Sequence, residues 1–267
     1  MGTDGGVLTT AEIQRFSEEL MEAERLGRPV DQLTSRVPGL TVVDAYQIQL
    51  HTIREKTARG ARIVGKKIGL TSKAMQDLLG VSEPDYGHLL DTMVVPEGVP
   101  VPATRLCQPK AEGEIAFVLK SDLRGPGLSI VDVLRATEGV IAAIEIVDSR
   151  VRDWRIKIQD TVADNASSAL LVLGGKMVDP FDLDLRLVGM VLEKNGQIVN
   201  TGAGAAVLGH PASSVAWLAN KLADYGLGLA AGEIVLAGAL TAAPPVAQGD
   251  CVTVTFDRLG AVTCRFV

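Results

Sequence analysis

AEGEIAFVLK, residues 111–120, decides how the rest of this chain is read. Its run of alanine, isoleucine, phenylalanine, valine and leucine predicts a strand that enters an apolar core. Glu112 and Glu114 lie two apart, so on that strand both side chains project from one face, about 7 Å apart along it. Further on, IAAIEIVDS (141–149) repeats the apolar strand pattern with Glu145 inside it, where a lone carboxylate is costly to bury. Between the two, GLSIVDVLRATEGV (127–140) has helical spacing, with Ser129 placed to cap it.

Working outward, ARIVGKKIGLT (61–71) is β-branched and predicts a strand, TSKAMQDLLG (71–80) a short helix, and SEPDYGHLLDTM (82–93) a loop with turn chemistry at Pro84 and Gly87. DWRIKIQDTVADNASS (153–168) divides between helix and loop. LRLVGMVLEKNGQIVNTG (185–202) predicts a hairpin turning at Asn195-Gly196. HPASSVAWLANKLADYG (210–226) is a helix with Pro211 in its first turn and Gly226 past its end. GEIVLAGALT, DCVTVTFDRLG and AVTCRFV, over 232–267, supply three more strands. Toward the N-terminus, residues 1–8 predict a frayed end. Thr9-Thr10-Ala11-Glu12 and Thr41-Val42-Val43-Asp44 are capping boxes opening two helices, which stop at Gly27 and near Gly60. The mixed order favours an α+β fold around a curved β-roll or barrel over a regular βαβ architecture. It divides into a helical N-terminal portion, 1–60, and a β-roll catalytic domain, 61–267.

Composition narrows the function. The 267 residues are 47% hydrophobic with a net charge of −6 and ten aromatics, which argues against a nucleic-acid or anionic-membrane partner. Cys107, Cys251 and Cys264 contain no CxxC pair, so neither a disulfide framework nor a thiolate zinc site is expected. The opening MGTDGGVLTTAEIQRF lacks the pattern of a signal peptide and no run is long enough to span a bilayer, which predicts a cytoplasmic setting. There is no GxSxG elbow, and Gly202-Ala203-Gly204 lacks the third glycine of a dinucleotide fingerprint.

Two readings of the acids stand side by side. Glu112 and Glu114 lie either on a solvated face, with Glu145 paired to Arg150, or with Glu145 around a cation. An all-oxygen set selects Mg²⁺ or Mn²⁺ over zinc. Lys66 and Lys67 point to opposite strand faces, so either both are surface groups on an edge strand or one points inward. Asp85 reads as a turn-starting loop acid, and Asp164 with Asn165 as an N-cap. His51, His88 and His210 share no metal-ligand spacing.

GKKIGLTSKAMQDLLGV (65–81), EPDYG (83–87), QPKAEGEIAFVLK (108–120), EIVDSR (145–150), DWRIKIQDTVADNAS (153–167) and NTGAGAAVLGHPASSVAWLANKL (200–222) closely resemble the 2-hydroxypenta-2,4-dienoate (2-keto-4-pentenoate) hydratases of the fumarylacetoacetate hydrolase superfamily. The likeness runs from about Thr41 to Val267. It implies a fumarylacetoacetate hydrolase-like β-roll, a divalent metal on Glu112, Glu114 and Glu145, an active-site lysine at Lys67 and a loop acid at Asp85. It also implies a 2-hydroxydienoate substrate from meta-cleavage degradation of aromatic compounds or steroids, and a homo-oligomer, pentamer or decamer. Gln108 and Gly113 side with the hydratases, on the expectation that they border the reacting atoms. GHPASS (209–214) and DLDLR (182–186) resemble the related 4-oxalocrotonate decarboxylases. The alternatives are that decarboxylation and a catalytically silent partner that stabilises a pathway enzyme.

Overall fold

Thr9 starts the first helix as its side chain dictates. In the computed structural model, which describes residues 6–267, the Thr9 hydroxyl accepts the Glu12 N–H at 3.3 Å and the Glu12 carboxylate accepts the Thr9 N–H at 2.8 Å. Helix α1 (Thr10–Leu26) ends at Gly27, whose φ of 61° is the left-handed cap that favours glycine. A short α2 (Leu33–Arg36) leads to α3 (Val42–Ala58), opened by the second capping box. There the Asp44 carboxylate accepts from the Thr41 N–H at 3.0 Å and also from the Val7 and Leu8 N–H groups at 3.1 and 3.0 Å. Of the stretch expected to fray, residues 1–5 lie outside the described residues, while Val7 and Leu8 are held by these long-range bonds. Phe16, Leu20 and Ile48 of the helical portion share an apolar cluster with Val151, Val162 and Ala163, so these helices rest on the segment that follows residue 150.

The sheet strands are β1 (Ile63–Gly69), β2 (Asp85–Leu90), β3 (Val94–Val95), β4 (Pro109–Leu119), β5 (Thr137–Asp148), β6 (Ser168–Val178), β7 (Gly189–Lys194), β8 (Gln197–Ala203), β9 (Ile234–Ala239), β10 (Cys251–Phe256) and β11 (Gly260–Arg265). Seven form one sheet in the order β2-β1-β9-β4-β5-β6-β3, and four form a second in the order β11-β10-β7-β8. The pairs β1–β9 and β3–β6 are parallel and the others antiparallel. Helices α4 (Lys73–Leu79), α5 (Ile130–Ala136), α6 (Ile158–Ala163) and α7 (Pro211–Ala223) occupy the connections. The expected mixed α+β architecture is therefore present. The hairpin turns as expected, with Asn195 and Gly196 both at positive φ. Among the described residues no helix is long and apolar enough to cross a membrane.

Two expectations fail. SEPDYGHLLDTM is not all loop, because β2 runs through it with every residue buried. Gly87 is not a turn glycine: a Cβ there would lie 2.4 Å from the Asn165 carbonyl, so the residue is small to let a second backbone approach. Strand β6 was not anticipated; it closes over β5 on one side and β3 on the other. In the middle of β4, Gly113 faces the second sheet, where a Cβ would meet Met190 Sδ at 2.4 Å and Val254 Cγ1 at 2.7 Å. That absence of a side chain lets the two sheets close on a core containing Ile115, Phe117, Leu192 and Val254.

Asp44→Ala should lower the free energy of unfolding by about 2–3 kcal/mol, because it removes a cap and orphans distant N–H groups together. Glu12→Ala, which opens an exposed box, should cost about 1 kcal/mol or less. Urea unfolding of both variants checks the ranking.

Candidate metal centre

The register of β4 on β5 assembles the acids. Glu112 is the direct cross-strand partner of Glu145, and Glu114 follows two residues along on the same face. One carboxylate oxygen from each of the three can be chosen so that all lie within 4.8 Å of one another. Glu114 and Glu145 are fully buried and Glu112 partly so. Glu114 Oε2 accepts the Gly238 N–H at 2.7 Å, whereas Glu114 Oε1 and both oxygens of Glu145 accept no hydrogen bond.

Lys67 supplies the cation. It sits on β1, three strand spacings from β5, which is about 14 Å in a flat sheet. Its Nζ nevertheless lies 3.4 Å from Glu145 Oε2, because the sheet curls and both side chains point to the inside of the curl. The contact is an ion pair without hydrogen-bond alignment; the aligned acceptor of Lys67 is the Ala166 carbonyl at 3.1 Å. Burial works against the ammonium, but Glu145, Glu112, Asp85 and Glu114 outweigh it and hold Lys67 above the ordinary lysine range.

Asp85 opens β2 opposite Gly69. A Cβ on Gly69 would fall 2.2 Å from Asp85 Oδ1 and 3.4 Å from Lys67 Nζ, so that glycine makes room for the acid beside the lysine. Asp85 is buried and its Oδ1 has no hydrogen-bond partner. Burial, reinforced by Glu145 and opposed by Lys67, raises its pKa. Burial and the neighbouring carboxylates likewise raise Glu112 and Glu114. A cleft of about 380 Å³ reaches Asp85 from outside, lined by Val42, Tyr46, Val81, Glu83 and Ile158 among others. A larger cleft of about 710 Å³, between Glu24, Lys56 and residues 94–102, contains none of these four acids.

The bland readings of the sequence are overturned one by one. Arg150 pairs with Asp164 and not with Glu145. Neither lysine is a surface group: Lys66 is buried on the opposite face with Glu233 at 3.1 Å, and Lys67 is buried in the centre. Asp85 is a strand residue in the centre, not an exposed turn acid. Asp164 and Asn165 make no side-chain helix cap; Asn165 bonds both the N–H and the carbonyl of His88. Neither Gln108 nor Gly113 turns a side chain to the acids, although Gly113 lies between Glu112 and Glu114 in β4. Gln108 ties down the carbonyls of Ser149 and Val151 and the Asp153 N–H, and Gly113 lies under the second sheet. Sequence reasoning missed the Ala166 carbonyl and Tyr46, which stacks on Tyr86 at 4.8 Å between ring centres; a backbone acceptor and one helical tyrosine leave no local signal.

Residues 66–267 match the family described as the fumarylacetoacetate (FAA) hydrolase C-terminal domain. The chain is 49% identical to a 2-hydroxyhexa-2,4-dienoate hydratase of Comamonas testosteroni, over 95% of this chain and 97% of that one. It is 54% identical to a 2-hydroxypent-2,4-dienoate hydratase of Pseudomonas putida, over 80% of this chain and 97% of that one. The solved structure of 4-oxalocrotonate decarboxylase from Pseudomonas putida G7, complexed with magnesium and adipate, superposes with a TM-score of 0.95 at 44% identity, covering 98% of this chain and all of that one. With its curled sheet, its second sheet and these likenesses, the chain belongs to the fumarylacetoacetate hydrolase family.

Proposed function

We propose that this protein is a divalent-metal-dependent hydratase that converts a 2-hydroxy-2,4-dienoate, through its 2-oxo-3-enoate tautomer, into a 4-hydroxy-2-oxo acid. The observation that carries the reading is the charge imbalance of the centre. Four carboxylates face one buried ammonium, and three of the oxygens of Glu114 and Glu145 have no donor. Buried acids in that state need a further cation, and a hard dication such as Mg²⁺ or Mn²⁺ suits an all-oxygen set. Glu112, Glu114 and Glu145 would hold it, and when bound it supplies Lewis-acid stabilisation of charge developing on the substrate's 2-oxygen.

The chain's own groups supply the rest. Lys67, held between Glu145 and the Ala166 carbonyl, sets a fixed positive charge beside that oxygen in a water-poor site. Asp85, buried beside Lys67, would move the protons: its acid form gives one to C5 and its carboxylate takes up the one leaving the 2-hydroxyl, and in the hydration it gives one to C3 and takes one from the water that adds at C4. The cleft at Asp85 is lined mostly by apolar side chains, with Tyr46, Ser82, Glu83 and Asp85 as its polar ones and no lysine or arginine among them, which suits an uncharged substrate tail better than a second carboxylate.

The likeness to the decarboxylase structure favours a second reading, in which the same centre promotes loss of CO₂ from a 2-oxo-3-enedioate. An ultraviolet assay with enzymatically generated dienoates of varied chain length, with and without Mg²⁺, should show chelator-sensitive hydration. CO₂ release from the enedioate as the faster reaction would replace the hydratase with the decarboxylase. Metal binding without turnover of either would leave a silent partner.

Two sets of variants test the roles. Glu114→Gln should lower metal-dependent turnover by about 100-fold or more while the circular dichroism spectrum is retained; unchanged turnover would remove Glu114 from the ligand set. Lys67→Met should lower kcat by about 100-fold to 1,000-fold. Lys66→Met, on the opposite face, should leave kcat within about threefold, and the reverse ranking would reject the assignment.

A further inference from the structure

Between α6 and β6 the backbone does something costly. Asn165, Ala166 and Ser167 have φ of 55°, 51° and 54°, three consecutive non-glycine residues in the left-handed region. Each is disfavoured by the crowding of its Cβ against its own carbonyl, and such a run persists only where its surroundings over-determine it. The middle residue of the three is Ala166, whose carbonyl accepts the Lys67 ammonium.

The surroundings clamp this turn from two sides. On one side, the Arg150 guanidinium spans both ends of it, donating to the Asp164 carbonyl at 2.6 Å before the turn and to the Ser168 carbonyl at 3.1 Å after it. The Asp164 carboxylate completes the clasp. It accepts from Arg150 Nε, from the Arg150 N–H at 2.9 Å and from the Ser167 hydroxyl at 3.3 Å. On the other side, Asn165 Nδ2 donates to the His88 carbonyl at 2.9 Å while Asn165 Oδ1 accepts the His88 N–H at 2.8 Å. Arg150 lies two residues past the end of β5, the strand that carries Glu145. The segment that sets Glu145 thereby also sets the acceptor opposite it on Lys67.

We infer that Arg150 and Asp164 are positioning residues for the reaction, locking the left-handed turn so that the Ala166 carbonyl holds the Lys67 ammonium toward the substrate. Without that acceptor the ammonium has only carboxylates to bind and is drawn down among them, away from the 2-oxygen. A guanidinium is required because its fork reaches the carbonyls of Asp148, Asp164 and Ser168 and the Asp164 carboxylate at once, one partner more than the three N–H donors of a lysine ammonium serve. The inference rests on the proposed role of Lys67 and deepens it.

The test is a double-mutant cycle on the full chain with saturating Mg²⁺. Asp164→Asn and Arg150→Lys are each made in the natural and in the Lys67→Met background, and Asn165→Ala carries the same test should either variant fail to fold. In the natural background kcat should fall about 10-fold to 100-fold, with KM and calorimetric Mg²⁺ affinity within about threefold. In the Lys67→Met background the same changes should alter the residual kcat by less than about twofold, since the effect passes through a group already removed. A crystal structure of Asp164→Asn should show the Ala166 carbonyl displaced from Lys67 Nζ. Losses that multiply in full in both backgrounds, unchanged kcat in folded variants, or lowered kcat with the Ala166 contact intact would each overturn the inference. The cycle is run on whichever substrate the natural chain turns over; turnover of neither by the natural chain would sink the proposed function, and the positioning role with it.

Discussion

A carboxylate taken out of water must either neutralise or meet positive charge, and at the inside of this curled sheet Glu112, Glu114, Glu145 and Asp85 converge on Lys67. Much of the surrounding structure serves that convergence. The β4–β5 register sets two glutamates opposite each other, and the curl carries β1 far enough round for a lysine three strands away to reach them. Gly69 leaves room for Asp85 beside that lysine, and Gly238 offers its N–H to Glu114. Burial and neighbouring carboxylates raise Asp85, Glu112 and Glu114, and the acids together sustain the lysine's charge, which is the imbalance on which the proposed metal reading rests.

The same strand serves two layers. Glu112 and Glu114 face the centre while Gly113 between them faces the second sheet, where Met190 and Val254 fill the space a side chain would take. Packing and chemistry therefore alternate along β4, one residue to each. Gln108, likewise close in sequence, braces the backbone of residues 149–153 and so supports the end of β5 from outside the centre.

Much of the fold was legible because its causes are local. Thr9 with Glu12 and Thr41 with Asp44 satisfy their own helix ends within three residues, and Asn195-Gly196 turns its hairpin by its own backbone preference. The candidate centre was half legible. A period of two puts Glu112 and Glu114 on one face whatever the tertiary structure, and Glu145 stands out as an acid in an apolar run. Strand β2 was hidden because Pro84 and Gly87 carry turn chemistry, while the reason for Gly87 lies in the Asn165 backbone, 78 residues later.

The amino-acid order alone determined which side chains share a strand face, where helices begin, and that an all-oxygen acid set suits a hard cation, because these follow from the backbone repeat and from donor chemistry. The family resemblance joined those acids to Lys67 and Asp85 but not to the geometry that unites them. Only the tertiary structure decided that Arg150 clasps Asp164 and leaves Glu145 to Lys67, that Lys66 turns away to Glu233, and that a left-handed turn presents the Ala166 carbonyl. Those pairings join residues 14 to 167 positions apart. Which distant charge meets which is set by sheet curvature and strand order, and no short-range pattern encodes either.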